Sequence, residues 1–97
     1  MTSEIVYAIY HPDSGLFYDG NGLSKLNAKT KFYNSERNAK LADINNFVAV
    51  KITWDYLEKT ENISKWHIDI DKEHYNKTLQ SFRCLKVVPI NLEYNQA

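Results

Sequence analysis

The chain has 97 residues and a formal net charge of zero, with twelve basic side chains balancing twelve acidic ones. That length leaves room for one domain over residues 1 to 97 and excludes a second hydrophobic core, while 43% hydrophobic and 13% aromatic residues exclude an intrinsically disordered chain. The balanced charge disfavours strongly basic nucleic-acid binders and acidic mimics of DNA.

Residues 4 to 22 have the pattern of a β-hairpin followed by a second turn. Residues 4 to 10 are β-branched and aromatic, which predicts a strand that is apolar on both faces. His-Pro-Asp-Ser-Gly at 11 to 15 predicts a chain reversal, residues 16 to 18 the return strand, and Asp-Gly-Asn-Gly at 19 to 22 another tight turn. No basic stretch followed by an apolar run opens the chain, so we expect no secretion signal, no membrane span and a cytoplasmic protein.

The next segment predicts a loop and then a short helix. Residues 23 to 33 mix lysines with apolar residues and fit a loop that ends in a short extended piece. Asn34 or Ser35 is placed to cap a helix that begins at Glu36, whose charge suits the positive end of the helix dipole. The stripe that we expect to face the core comprises Ala39, Leu41, Ala42 and Ile44. The pair Asn45-Asn46 predicts the end of this helix.

Alternating patterns predict two more strands. Residues 47 to 54 are rich in valine and isoleucine and favour a central strand. Its core face would carry Val48, Val50 and Ile52. Residues 55 to 64 fit either a helical turn or a loop, and residues 66 to 71 alternate apolar and polar side chains as a half-buried strand does.

The C-terminal part predicts a second helix and a last strand. Asp71 is placed to cap the helix. One helical stripe carries Tyr75, Leu79 and Phe82. Residues 85 to 94 form the strand, in which Pro89 indicates an edge position or a bulge. The predicted order is β-β-α-β-β-α-β, an α+β fold with two helices on one face of a mainly antiparallel sheet of about five strands.

The densest polar group follows residue 66. It consists of His67, Asp69, Asp71 and His74. A strand would place the first three on one face about 6.6 Å apart, and imidazole with carboxylate suits Zn, Mn or Fe, or paired acid and base groups. The commoner meaning of such a pattern is a solvated strand that leads into a helix cap, so we predict no cofactor and no enzymatic activity, and a metal-dependent enzyme stays the second alternative.

Two single residues carry reactive chemistry. His11 stands beside Asp13 and fits a base oriented by a carboxylate, although a turn histidine exposed to water is the favoured interpretation. Cys84 follows Arg83, and we expect a buried small hydrophobic residue rather than a reactive thiol. Because Cys84 is the only cysteine, an internal disulfide and a zinc cluster of several cysteines are excluded.

Charge is unevenly distributed along the chain. Residues 20 to 51 hold six basic and two acidic side chains, whereas residues 52 to 76 hold six acidic and three basic ones. Lysines interleaved with aromatic rings can stack on and neutralise a nucleic acid. The candidate nucleic-acid surface comprises Lys25, Lys29, Lys31, Phe32, Tyr33, Arg37 and Lys40. Two ordinary solvated faces of opposite charge are the alternative.

A protein-binding face is the leading hypothesis. A domain of this size offers one standard interface of about 800 Å² but little volume for a deep cleft, and aromatic anchors with arginine dominate interface energies. The candidate partner-binding residues are Tyr10, Tyr18, Lys29, Lys31, Tyr33, Arg37, Lys40 and Tyr56.

The first half of the chain resembles small phage and prophage accessory proteins over residues 5 to 52. The likeness lies in Tyr7-Ala-Ile-Tyr10, Ser14 to Gly22, Ala28-Lys-Thr-Lys-Phe32, Ala39-Lys40 and Phe47-Val-Ala-Val50. In those proteins a strand, a glycine turn, an aromatic return strand and a helix precede a Val-rich strand. The resemblance implies a small virus-encoded protein that binds a host or defence protein as an inhibitor or modulator, with no catalytic residues to carry over.

Overall fold

One long strand organises the sheet of this computed structural model, which describes residues 2–63 and 70–94. β1 (Thr2–His11) pairs antiparallel with β5 (Lys86–Tyr94) along almost its whole length. The opposite edge of β1 is shared by β2 (Leu16–Tyr18) and β4 (Phe32–Tyr33), and β3 (Leu23–Ser24) pairs with β2. The predicted hairpin and the mainly antiparallel five-stranded sheet are confirmed.

The two predicted turns form through the residues that signalled them. Gly15 adopts a φ of 71° and its amide donates to the carbonyl of His11, as a reversal between two strands requires. The carboxylate of Asp19 accepts from the amides of Asn21 and Gly22 at 3.0 and 2.9 Å. Both turns are therefore fixed by local chemistry.

The prediction of a strand over residues 47 to 54 is wrong. After α1 (Glu36–Ala42) and a 3-10 turn (Ile44–Asn46), these residues begin α2 (Phe47–Glu61), which also takes in most of the segment left open between helix and loop. In a strand, Val48, Val50 and Ile52 would share one face. Val48 and Ile52 are also four residues apart, which places them on one face of a helix. A short apolar run fits both the two-residue period of a strand and the 3.6-residue period of a helix, and packing selected the helix.

Capping defines the ends of α1 and α2. The hydroxyl of Ser35 accepts from the amide of Asn38 at 3.1 Å, which confirms the predicted N-terminus of α1. Asn45 and Asn46 take left-handed φ values of 56° and 60°, which separates the two helices. The carboxylate of Asp43 reaches across this corner and accepts from two amides in the first turn of α2. An anion at a helix N-terminus is stabilising.

The C-terminal elements follow the prediction. Asp71 accepts from the amide of Glu73 at 3.0 Å and caps α3 (Lys72–Ser81). In β5, Pro89 lies opposite Tyr7 in an uninterrupted one-to-one register, so it occupies an edge strand without a bulge. Most of the predicted strand over residues 66 to 71 lies outside the described residues, and Ile70 and Asp71 are not in a strand.

The core lies between the sheet and α2 and α3. One cluster of buried residues in it consists of Ile9, Tyr18, Val48, Ala49, Ile52 and Phe82. Leu79 packs against this cluster, as predicted, but Val50 is only half-buried. The α+β class is confirmed, and the described residues form three α-helices instead of the predicted two. Among the described helices, none has the length and hydropathy needed to cross a bilayer.

Candidate functional site

Two lysines and two aromatic rings meet in a groove between β4 and α2. The Nζ atom of Lys31 lies 5.9 Å from the ring centroid of Tyr33, and that of Lys51 lies 5.2 Å from the ring centroid of Phe47. All four side chains line one cavity of about 450 Å³, which Asp19 also lines. The groove therefore contains part of the predicted basic and aromatic surface, completed by two residues from a helix that the sequence pattern presented as a strand.

The other predicted basic residues lie outside this groove. Arg37 and Lys40 line a separate hollow of about 360 Å³ on α1, and Lys40 pairs with Glu36 at 2.9 Å. Lys25 and Lys29 are exposed in the segment between β3 and β4. The seven residues of the candidate nucleic-acid surface therefore do not line a single groove.

Large apolar side chains are exposed where α1 meets α2. Leu41, Ile44 and Phe47 are 51, 61 and 56% exposed. Each of the three is three residues from the next, so the Cα atoms of neighbours are at most about 11 Å apart even in an extended chain. The corner surface is defined here as these three residues with Arg37, Lys40 and Lys51, all of them exposed.

The sequence pattern did not reveal the corner surface. Leu41 and Ile44 were expected to face the core together with Ala39 and Ala42. Ala39 is buried and the half-buried Ala42 packs against the core cluster, but Leu41 and Ile44 are exposed. α1 has seven residues and ends at Ala42, so the stripe does not continue through Ile44. The one signal available was the Asn45-Asn46 pair, because a break so soon after a short helix limits the length over which its apolar stripe can face the core.

The tyrosines predicted to contact a partner have different environments. Tyr56 is 42% exposed, and its ring forms a T-shaped pair with that of Phe82 with centroids 5.5 Å apart. Tyr10 is half-buried and packs against Phe17 with ring centroids 5.0 Å apart. Tyr18 is only 4% exposed and donates its hydroxyl to the carbonyl of Gly20 at 2.9 Å. The prediction that Tyr18 is an exposed contact is wrong, because its ring completes the core.

Burial of Tyr18 gives the protein a pH-dependent stability. Burial first, and then the nearby Tyr33 and Asp19, raise the pKa of Tyr18 from 10.0 to about 12. The folded state favours the neutral phenol, so this stabilisation is complete below pH 10 and is lost as the pH rises toward 12. We expect the free energy of unfolding to fall by about 1 kcal/mol between pH 10 and pH 11 through this group.

Urea unfolding at a series of pH values measures this loss. The matched variant is Tyr18→Phe, which keeps the ring and removes the ionisable hydroxyl. Its stability should decline less steeply over the same pH range. An identical decline in both proteins would show that the tyrosine is not responsible.

Two of the four predicted histidine and aspartate ligands lie among the described residues, and both stabilise helices. Asp71 caps α3, and the Nε2 atom of His74 lies 2.7 and 2.9 Å from the two carboxylate oxygens of Glu61, which joins α3 to α2. His67 and Asp69 lie outside the described residues. Asp71 and His74 thus already have partners that hold the helices.

No family model, curated protein or solved structure matches this chain. The resemblance of residues 5 to 52 to small phage proteins stays a prediction. The Val-rich segment at its end is helical in this chain and is not the strand that the resemblance implies.

The environments of His11 and Cys84 are the reverse of those predicted. His11 is only 4% exposed, with its Nδ1 atom 2.8 Å from the hydroxyl of Ser14 and its Nε2 atom 2.8 Å from the carbonyl of Ser81. Cys84 is exposed, and its thiol lies 3.6 Å from a carboxylate oxygen of Asp13. Packing of the first turn against the end of α3 explains both outcomes, since it covers the imidazole and leaves the thiol at the rim.

Proposed function

We propose that this chain is a non-enzymatic protein that binds another protein through the corner surface. The observation that carries the proposal is the exposure of Leu41, Ile44 and Phe47 within seven consecutive residues. Burying one large aliphatic or aromatic side chain contributes about 1.5 to 3 kcal/mol. A partner that covers all three removes a substantial apolar area from water.

The charges around these residues indicate the chemistry of the partner. Arg37, Lys40 and Lys51 are exposed beside the apolar side chains. Glu36 pairs with Lys40 and Asp43 caps α2, so Arg37 and Lys51 are the two of these cations without an acidic partner among the described residues. An apolar patch edged by carboxylates on the partner would match this surface and would be attracted to it.

The titratable groups of the neighbouring groove support a binding role. Burial raises the pKa of Tyr33, and the nearby Asp43 adds to this effect; the pKa of Tyr18 is raised as well. Burial alone would raise the pKa of Asp19, but hydrogen bonds from the Gly22 and Asn21 amides, together with the Ser24 side chain and the charge of Lys59, outweigh it and lower that pKa. General acid–base catalysis works best with a pKa near the operating pH, and these three groups are shifted away from neutrality.

The resemblance in the first half of the chain supports a proposal for the class of partner. Small phage accessory proteins commonly bind a host protein and modulate it. We therefore propose a cytoplasmic host or defence protein as the partner, with this chain as its inhibitor or modulator. The exposed Tyr56 lies nine residues after Phe47 on α2, on the opposite side of the helix, so it stays a predicted contact outside the corner surface.

A matched pair of isoleucines tests the proposal. Ile44 and Ile5 are 61 and 60% exposed, but only Ile44 belongs to the corner surface. We expect Ile44→Asp to weaken binding by at least about 2 kcal/mol, roughly 30-fold, because it removes an apolar contact and sets a negative charge against an acidic rim. Ile5→Asp should leave the affinity unchanged.

The measurement is affinity capture from host cells with both variants and the wild type, followed by titration calorimetry on the purified partner. The proposal is supported by a protein captured by the wild type and by Ile5→Asp and lost with Ile44→Asp. Equal capture by all three chains contradicts it. A captured nucleic acid whose affinity falls steeply with added salt also contradicts it and favours a nucleic-acid-binding function.

A further inference from the structure

Three metal-ligating side chains of different types meet where the first turn packs against the end of α3. One ring nitrogen of His11, a carboxylate oxygen of Asp13 and the sulfur of Cys84 all lie within 4.8 Å of one another. His11 ends β1, Asp13 lies in the turn after it, and Cys84 lies just before β5. Asp13 and Cys84 are 71 residues apart in the sequence. The fold therefore assembles a cluster that no local motif encodes.

The spacing of the two exposed ligands fits a tetrahedral zinc ion. Zinc binds sulfur at about 2.3 Å and carboxylate oxygen at about 2.0 Å, and a tetrahedral angle between these bonds separates the two ligand atoms by about 3.5 Å. The sulfur of Cys84 and Oδ2 of Asp13 are 3.6 Å apart. An ion can therefore bind both atoms with almost no change in their separation.

The imidazole of His11 is already oriented by two hydrogen-bond contacts, and a bound ion would replace one of them. A ligating histidine usually donates its second ring N–H to an oxygen, which fixes the ring and raises its basicity. In this protein each ring nitrogen has an oxygen at 2.8 Å, the hydroxyl of Ser14 on one side and the carbonyl of Ser81 on the other. The nitrogen that binds the ion gives up its own oxygen contact, and the other nitrogen keeps an oxygen that fixes the ring.

We propose that His11, Asp13 and Cys84 bind one Zn²⁺ ion. A thiolate, an imidazole and a carboxylate together suit zinc, whereas Mg²⁺ and Ca²⁺ prefer oxygen ligands alone. Binding releases the thiol proton to solvent. Three protein ligands leave the fourth tetrahedral position to water or to a side chain from a partner, and the ion links the first turn of the chain to the segment between α3 and β5.

Cobalt substitution tests this directly. Chelator-treated protein is titrated with Co²⁺ and then with Zn²⁺, and the near-ultraviolet charge-transfer absorption of a cobalt thiolate is followed. Because Cys84 is the only cysteine, any such band reports this site. We expect one equivalent of Co²⁺ to produce the band, and Zn²⁺ to displace it and raise the melting temperature by at least about 5 °C.

Three variants decide the outcome. Cys84→Ser should abolish the band, and Asp13→Asn should weaken metal affinity at least tenfold while the band remains; both residues are exposed, so circular dichroism should show an intact fold. His74→Asn removes a histidine that pairs with Glu61 elsewhere and should bind metal as the wild type does. A wild type without the band, or a band that survives in Cys84→Ser, overturns the proposal.

Discussion

Replacing Ile52 by alanine should lower the free energy of unfolding by about 3 to 4 kcal/mol. The side chain is 2% exposed and packs in the core cluster with Ile9 and Tyr18 of the sheet and Phe82. Truncation removes three carbon atoms and leaves a cavity that the rigid sheet is poorly able to fill. Because small domains are stable by only about 5 to 15 kcal/mol, this single change consumes a large share of the total.

The matched comparison is Val48→Ala against Val50→Ala, the same chemical change two residues apart. Val48 is 1% exposed, whereas Val50 is half-buried on another face of α2. We expect about 2 kcal/mol for Val48→Ala and less than about 1 kcal/mol for Val50→Ala. Denaturant titration measures all three variants. Equal losses at 48 and 50 would indicate a strand, in which both valines share a face, and would contradict the helix.

Substitution of Gly22 by alanine should cost about 2 to 3 kcal/mol. A Cβ atom at this position would overlap the carboxylate of Asp55, and the Cβ atom of Asp55 itself would stand 3.0 Å away. Rotating Asp55 out of the way would break its ion pair with Lys59, which measures 3.2 Å. The φ angle of Gly22 is not in the left-handed region, so alanine adds no backbone strain of its own.

A double-mutant cycle separates overpacking from other causes. Asp55→Ala removes the overlapping carboxylate, so Gly22→Ala in that background should cost at least about 1 kcal/mol less than in the wild type. Thermal or urea unfolding of the four proteins gives the coupling energy. Strictly additive losses would show that Gly22 and Asp55 do not meet.

The two proposals concern different parts of the molecule. The corner surface lies where α1 meets α2, whereas the zinc ligands lie at the first turn and just before β5. Phe82 connects the second region to α2, because its ring packs against both His11 and Tyr56 with centroids 5.2 and 5.5 Å apart. Because the two sets of residues do not overlap, a partner at the corner surface and an ion at the cluster can be tested independently. Ile44 and Cys84 are the respective sites of substitution.

Local chemistry allowed the sequence by itself to determine the hairpin and the cap at Asp71, to narrow the cap of α1 to Asn34 or Ser35, and to restrict Pro89 to an edge position or a bulge. Each depends on a side chain bonding to nearby backbone, or on a missing N–H, and so needs no distant partner. The α+β class followed from these elements together with the strands and helices between them.

Tertiary structure alone decided the rest, because it depends on which faces meet across the sequence. Val48 and Ile52 suit a strand as well as a helix, and packing against Ile9 selected the helix. That choice brought Phe47 and Lys51 beside Tyr33, completing the groove. The contact between the first turn and the end of α3 buried His11 and placed Cys84 beside Asp13. Spacing along the chain carries no information about residues that lie 71 positions apart.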